Sequence, residues 1–199
     1  MRGVAVKKQA EIVAQGEDIA QVAEKIIEQK EVESRWRKGL GSTWKIIIAA
    51  ISVVFIGYHL FTSRFGMPET IKHRAIHVGF ILVLAFLYFP AHRKSPKGRP
   101  SWFDVGLAVV SAAATVYTVL SRDAFTARAG VAVWHNIWVG GLYTLLVLEA
   151  CRRAVGNQLL ILAGLFLLYA AFGRYVPGVL SHRGYSLERI IYMMYMTGQ

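Results

Sequence analysis

The sequence predicts an all-α, polytopic membrane bundle with four to five transmembrane helices, and three observations carry that prediction. Hydrophobic residues make up 55% of the 199 residues and charged residues 18%, against about 45–50% and about 25% in soluble domains. Mean hydropathy is +0.41. Five apolar stretches recur, at about 44–62, 74–90, 102–121, 131–150 and 157–173. At 1.5 Å per residue each is long enough for a hydrocarbon core about 30 Å thick. Backbone groups in lipid must bond within a helix or a closed barrel. The period-two alternation of barrel strands is absent, so the spans are helices.

The first element is a charged tail over 1–43, expected to be cytoplasmic and partly helical. Ile12, Ile19 and Ile26 stand seven apart with Val22 between them, one narrow helical stripe. Gln15 and Gln29 occupy the companion positions and weaken the seam. No apolar stretch follows the first basic residues, so this is not a signal peptide. The bundle over 44–173 opens on Trp44. Pro68 lies in the first gap, Pro90 closes the second span, and Ser95-Pro96-Lys97-Gly98-Arg99-Pro100 makes a polar turn. Trp44, Tyr58, Tyr88, Trp102, Trp134 and Tyr169 gather toward span ends, where amphipathic rings suit the headgroup level.

The third span is rich in small residues, among them Gly106, Ala108, Ser111, Ala114, Thr115 and Thr118, and the fourth carries Gly140-Gly141. Small residues let backbones approach where lipid offers no hydrophobic drive between helices. These two spans are therefore expected to form the packed centre. In the last segment, 174–199, Tyr175-Val176-Pro177-Gly178 ends the fifth span. Leu187, Ile190, Ile191 and Met194 then form an apolar helical face suited to the membrane interface.

Twenty-three Lys and Arg against 12 Asp and Glu leave a net charge of +11. A nucleic-acid binder would gather that charge on one face; here most of it sits in short gaps between apolar runs, as in a multi-pass protein. Nucleic acid is therefore not an expected partner, whereas the lipid bilayer is. The densest basic clusters, Arg35-Trp36-Arg37-Lys38 and Arg93 to Arg99, favour a cytoplasmic N-terminus. Cys151 is the single cysteine, which excludes an internal disulfide.

Catalytic signatures are missing: there is no Gly-rich phosphate loop, no metalloprotease histidine pair and no Cys-x-x-Cys. The chain is not expected to be an enzyme, nor to hold a cofactor. Polar groups in spans need partners. Glu149 and Arg153, four apart, can meet on one helix face or dock another subunit. Trp134, His135 and Asn136 form a polar cluster near a boundary, with interfacial anchoring or an interhelical bond as its role. Asp104, in a first helical turn, suits the positive end of the helix. A second reading is a small haem-binding electron-transfer protein using two of His59, His77 and His135. Against it, no histidine pair is expected at matched depth on neighbouring spans. A third is a membrane anchor whose tail recruits a partner.

Longer motifs add to this reading. Gly57-Tyr58-His59-Leu60-Phe61, Arg74-Ala75-Ile76-His77-Val78-Gly79-Phe80 and Phe89-Pro90-Ala91 precede Arg174-Tyr175-Val176-Pro177-Gly178 and His182-Arg183-Gly184-Tyr185-Ser186-Leu187-Glu188-Arg189. Together, over about 44–199, they resemble the small N-terminal membrane domain of fused permeases of tripartite ATP-independent periplasmic (TRAP) transporters, the TAXI type. The resemblance implies a scaffold in the cytoplasmic membrane of a bacterium or archaeon. It implies two partners: a large permease subunit or domain, and a periplasmic TAXI-type solute-binding protein that delivers an organic acid. It also implies ion-gradient coupling, with sodium held by the large partner domain. The chain stops at Met196-Thr197-Gly198-Gln199, near where that domain would begin, so this chain alone is not expected to transport.

Overall fold

The computed structural model describes residues 36–37, 39–92, 95–96, 98–127 and 134–196. The chain divides into two compact units, Met1–Arg35 and Trp36–Gln199, and every described residue belongs to the second. The stripe of Ile12, Ile19, Val22 and Ile26 lies outside the described residues. The described residues form six α-helices, in order α1 Ser42–Phe65, α2 Thr70–Tyr88, α3 Trp102–Ala127, α4 Trp134–Ala154, α5 Asn157–Phe172 and α6 Leu187–Met196. Two short 3₁₀ turns, Gly173–Tyr175 and Gly178–Leu180, separate the last two.

Among the described residues, four helical segments are long and apolar enough to cross a membrane: Ser42–Phe65, Thr70–Tyr88, Trp102–Ala127 and Asn157–Tyr175. The expected fourth span, α4, is not among them. It is 21 residues long, but His135 and Asn136 at its start and Glu149, Arg152 and Arg153 at its end dilute its hydropathy. What α4 lacks in composition it recovers in position, because it contacts α2, α3, α5 and α6. Polar residues on such a helix meet protein rather than lipid. By contrast α1 and α5 are almost bare of buried residues. Val53, Leu60, Leu165 and Phe166 point outward, an arrangement that needs hydrocarbon around it.

The core is drawn from three helices: Leu82, Ala85, Phe86 and Leu87 of α2, Ala108 and Ala114 of α3, and Tyr143, Leu146 and Ala150 of α4. Trp44, Ile48 and Ile51 of α1 pack against it. In α3 the buried positions are Asp104, Ala108, Ser111, Ala114, Thr118 and Phe125, a stripe at three- and four-residue spacing that keeps one face inward. The expected centre was α3 with α4, yet the most extensive contact is α2 with α3. The reason is Gly79: a Cβ there would overlap the Thr115 side chain, so only glycine lets the two backbones come so close.

The tail boundary also differs from the expected one. Arg37 and Leu40 are buried, Arg37 N–H donates to the Tyr88 carbonyl at 3.1 Å, and Gly41 N–H to that of Gly98 at 2.9 Å. The bundle therefore begins by residue 36 rather than 44.

Helix α6 begins where its apolar spacing predicts, but only part of its apolar face is left outward. Leu187 and Met194 are exposed, whereas Ile191 and Tyr195 sit over Gly140 of α4. Tyr192 meets Phe125, and deeper along α3 the Tyr195 and Thr118 hydroxyls are 2.6 Å apart. The helix thus enters the bundle from the end where α3 finishes. Tyr195→Phe removes one interhelical hydrogen bond, worth roughly 0.6 kcal/mol on average in such bundles. The expected result is a drop in thermal stability in detergent of no more than a few degrees.

The α5–α6 connection folds back on α5. Tyr185 N–H donates to the Ala170 carbonyl at 2.9 Å and the Tyr169 hydroxyl to that of Leu180 at 2.6 Å. Gly184 N–H donates to His182 Nδ1 at 3.0 Å, which leaves the imidazole proton on Nε2, 3.1 Å from the Tyr169 carbonyl. Gly184 itself has φ +70°, and a Cβ there would run into the Ala171 carbonyl, a conformation that favours glycine.

Candidate functional site: a buried charge cluster and a histidine cluster

The two ends of the bundle carry different chemistry. At the end where α1 starts, Ser101 and Asp104 form a reciprocal cap on α3. Asp104 N–H donates to Ser101 Oγ at 3.2 Å, while Ser101 N–H and Oγ–H both donate to Asp104 Oδ2, at 3.0 and 2.7 Å. This is the capping box, consistent with a carboxylate in a first turn. Two further partners are long-range. Arg37 Nη2 donates to Asp104 Oδ2, and Arg153 Nη1 donates to Asp104 Oδ1 at 2.7 Å. Asp104 is 0% exposed, Arg153 1% and Arg37 4%.

The cluster extends along α4. Arg153 Nε donates to Glu149 Oε1 at 2.7 Å; Arg152 makes a fork to both Glu149 oxygens, at 2.7 and 2.8 Å. Three guanidinium groups thus meet two carboxylates, an excess of one positive charge. The C-terminus of α2 offsets it. Arg37 donates to the Leu87 carbonyl at 2.8 Å, Arg153 to Phe89 at 3.4 Å and Arg152 to Ala91 at 3.3 Å. Unsatisfied carbonyls at a helix end carry partial negative charge and attract such cations. Arg153 also lies over the Phe86 ring, 4.9 Å from its centroid, a cation–π contact. The pre-α1 segment and helices α2, α3 and α4 are joined at one end by this single network.

At the opposite end, α1 and α2 bring three histidines together. His59 Nε2 and His77 Nδ1 are 2.9 Å apart, and the His59 ring centroid is 4.9 Å from that of His77 and 5.2 Å from that of His73. Tyr58 Oη lies 3.0 Å from His73 Nδ1. Beneath them, Phe55 contacts both His59 and His77. Beside the cluster, Lys72 is neutralised by Asp123 at 2.6 Å, and Arg122 pairs with Glu69 at 2.8 Å. Among the described residues, no group of three or more His, Cys, Asp or Glu side chains stands arranged as a metal cage.

The five residues singled out from the sequence do not converge. Trp134 is exposed and packs edge-on to Trp138. His135 is exposed beside Tyr117. Asn136 is buried and accepts from the Tyr117 hydroxyl at 2.7 Å, across from α4 to α3. Glu149 and Arg153 lie at the other end of α4, about 20 Å away at 1.5 Å per residue. Arg153 is buried and faces inward onto Asp104. Sequence reasoning missed Arg37, grouped with the tail, and the pairing of Arg153 with Asp104. It also set aside matched histidine depth, which His59 and His77 in fact have. The available signal was the i, i+4 spacing of His73 and His77, which shares one helix face.

Between α1, α2 and α3 an outward-opening groove of about 430 Å³ is lined by Ile51, Ile76, Phe80, Val83, Val116 and Leu120 among others. Its lining is apolar, so it offers hydrocarbon contact and no chemistry. The fold and these clusters define an α-helical multi-pass membrane protein. No protein-family model, curated protein or solved structure matches the chain.

Proposed function

We propose that this chain is a static scaffold module of a TRAP-type secondary transporter, working beside a large permease component and a periplasmic solute-binding protein for organic acids. The observation that carries the reading is the Arg37–Asp104–Arg153–Glu149–Arg152 network, whose first three members are buried and whose last two are part-buried. Breaking such pairs one at a time is costly, so the segments they join hold one arrangement while a partner moves. Alternating-access sites are commonly built from interrupted helices at mid-membrane; the four apolar spans here are continuous. The family motifs fall on structural positions: Gly79 at the closest helix contact and Gly184 in the α5–α6 connection. The site in this reading is the outer face of the bundle, and the transported acid and its coupling ion belong to the partner.

Affinity purification of the tagged chain from its own host in mild detergent, with mass spectrometry, tests this. Recovery of a larger membrane protein together with a periplasmic binding protein is the expected result, and Arg153→Gln should lower that recovery by loosening the scaffold. Recovery of the chain alone, from cells that contain such proteins, overturns the reading. The His59–His77 pair does not support the haem alternative. Axial imidazoles need about 4 Å between nitrogens to seat an iron at about 2 Å from each, and His59 and His77 are 2.9 Å apart.

A further inference from the structure

We propose that the His59–His77 contact is a proton-sensing latch, which holds α1 against α2 while the pair carries at most one added proton and releases it when both rings are charged. The latch is separate from the scaffold role and lies at the opposite end of the bundle from the charge network. Its chemistry follows from the contact itself. His59 Nε2 and His77 Nδ1 stand 2.9 Å apart, so one nitrogen donates its proton and the other accepts with a lone pair. A first added proton enters at the outer nitrogen of the donating ring and leaves that bond intact, now charge-assisted. A second places N–H groups on both facing nitrogens, and two donors of like charge must part.

The surroundings make this contact decisive for α1. That helix buries only Thr62, and its ties to α2 gather around the rings. Phe55 packs on His59, His77 and Phe80, and Tyr58 Oη lies 3.0 Å from His73 Nδ1. The two phenylalanines replace water on one side of the pair, so repulsion between imidazolium ions is poorly screened. His73 stands edge-on to His59, centroids 5.2 Å apart, and adds a third charge of the same sign. The other charged groups of this end are Lys72 of α2 with Asp123 of α3, Arg122 of α3 with Glu69, Arg64 over Phe65, and the exposed Arg74. From α4, the uncharged Tyr143 hydroxyl donates to the Ala75 carbonyl at 3.3 Å. Of all these groups only the histidines change charge between about pH 8 and about pH 5.5. The rings lie within about 10 Å of the ends of α1 and α2 and are part-exposed, so aqueous protons reach them. The start of α1 stays anchored, by Gly41 N–H on the Gly98 carbonyl and by Trp44, Ile48 and Ile51 against the core, so release frees its second half. The released chain binds more protons than the latched one. The stability contributed by the pair is therefore present above the imidazole range and lost as pH falls through it.

Thermal transitions of the purified full chain in one detergent, from about pH 8 down to about pH 5.5, test this. The wild-type transition should fall by several degrees on acidification. His59→Gln and His77→Gln should each remove most of that fall, because a glutamine amide donates to a neutral imidazole and its carbonyl accepts from a charged one. His135→Gln should keep the wild-type fall. Size-exclusion profiles at the alkaline end establish that each variant is folded. A second measurement needs no variant: nuclear magnetic resonance of the wild-type chain with ¹⁵N-labelled histidine. One ring proton coupled to nitrogens of two different rings is expected at the alkaline end and should vanish at the acid end. A wild-type transition that does not fall overturns the proposal. So does an equal fall in the folded His59→Gln/His77→Gln double variant, loss of the fall in His135→Gln, or a bridging proton that persists unchanged on acidification.

Discussion

Asp104→Asn should lower the thermal transition of the detergent-solubilised protein by on the order of 10 °C. The carboxylate is fully buried and accepts from Arg37, Arg153 and Ser101. Asparagine has nearly the same shape, so no cavity forms, but its amide removes the carboxylate that lies between two buried guanidinium groups, leaving Arg153 with Glu149 alone. Removing one member of a buried ion pair costs about 3–5 kcal/mol, and each kcal/mol is worth roughly 2–4 °C in a chain of this size. The same principle predicts a recovery. Replacing all three charges together, in Arg37→Met/Asp104→Leu/Arg153→Met, removes the uncompensated charge and should regain much of the loss. A single variant melting within a degree or two of wild type would show that the network does not hold the bundle.

Gly79→Ala is the second large expected effect, and its mechanism is steric. The added Cβ would overlap the side chain of Thr115, whose own Cβ stands only 2.8 Å from it. Helices α2 and α3 must then move apart, at a cost of about 1–3 kcal/mol, and the Thr115 hydroxyl moves away from Tyr143, now 3.3 Å distant. Pairing Gly79→Ala with Thr115→Ala removes the two closest overlaps, with Oγ1 and Cγ2, and should recover only part of the loss, because the Cβ overlap remains. Pairing it with Thr115→Gly should restore the close approach, although glycine in a helix interior itself costs about 1 kcal/mol. Equal rescue by both second substitutions would falsify the close-contact account. Thermal scans of the four proteins in one detergent decide it.

Both effects concern contacts that no local pattern reveals. The spans were legible because hydropathy and length are local: α1, α2 and α5 lie within four residues of their expected bounds, and α3 starts where expected and runs six residues further. The small residues of α3 marked it as a packed helix, since a lipid-facing helix has no use for a stripe of Ala, Ser and Thr. Its principal partner, α2, depended on the single glycine facing Thr115. Asp104 was legible as a helix-capping residue, because its partner Ser101 is three positions away, yet its two arginines lie 67 and 49 residues distant.

The sequence by itself determined that this is a helical membrane bundle, where its helices run, and that most of its cationic charge stands between them. Those properties follow from free energies of transfer summed over contiguous residues, which the order of residues states directly. Only the tertiary structure decided which polar groups leave the solvent. It drew Arg37 out of a charged tail into the core, turned Arg153 inward onto Asp104, and brought His59 to His77 from two helices. Each of these is a meeting of residues far apart in the chain, settled by how helix faces pack and by the need to satisfy every charge that packing buries.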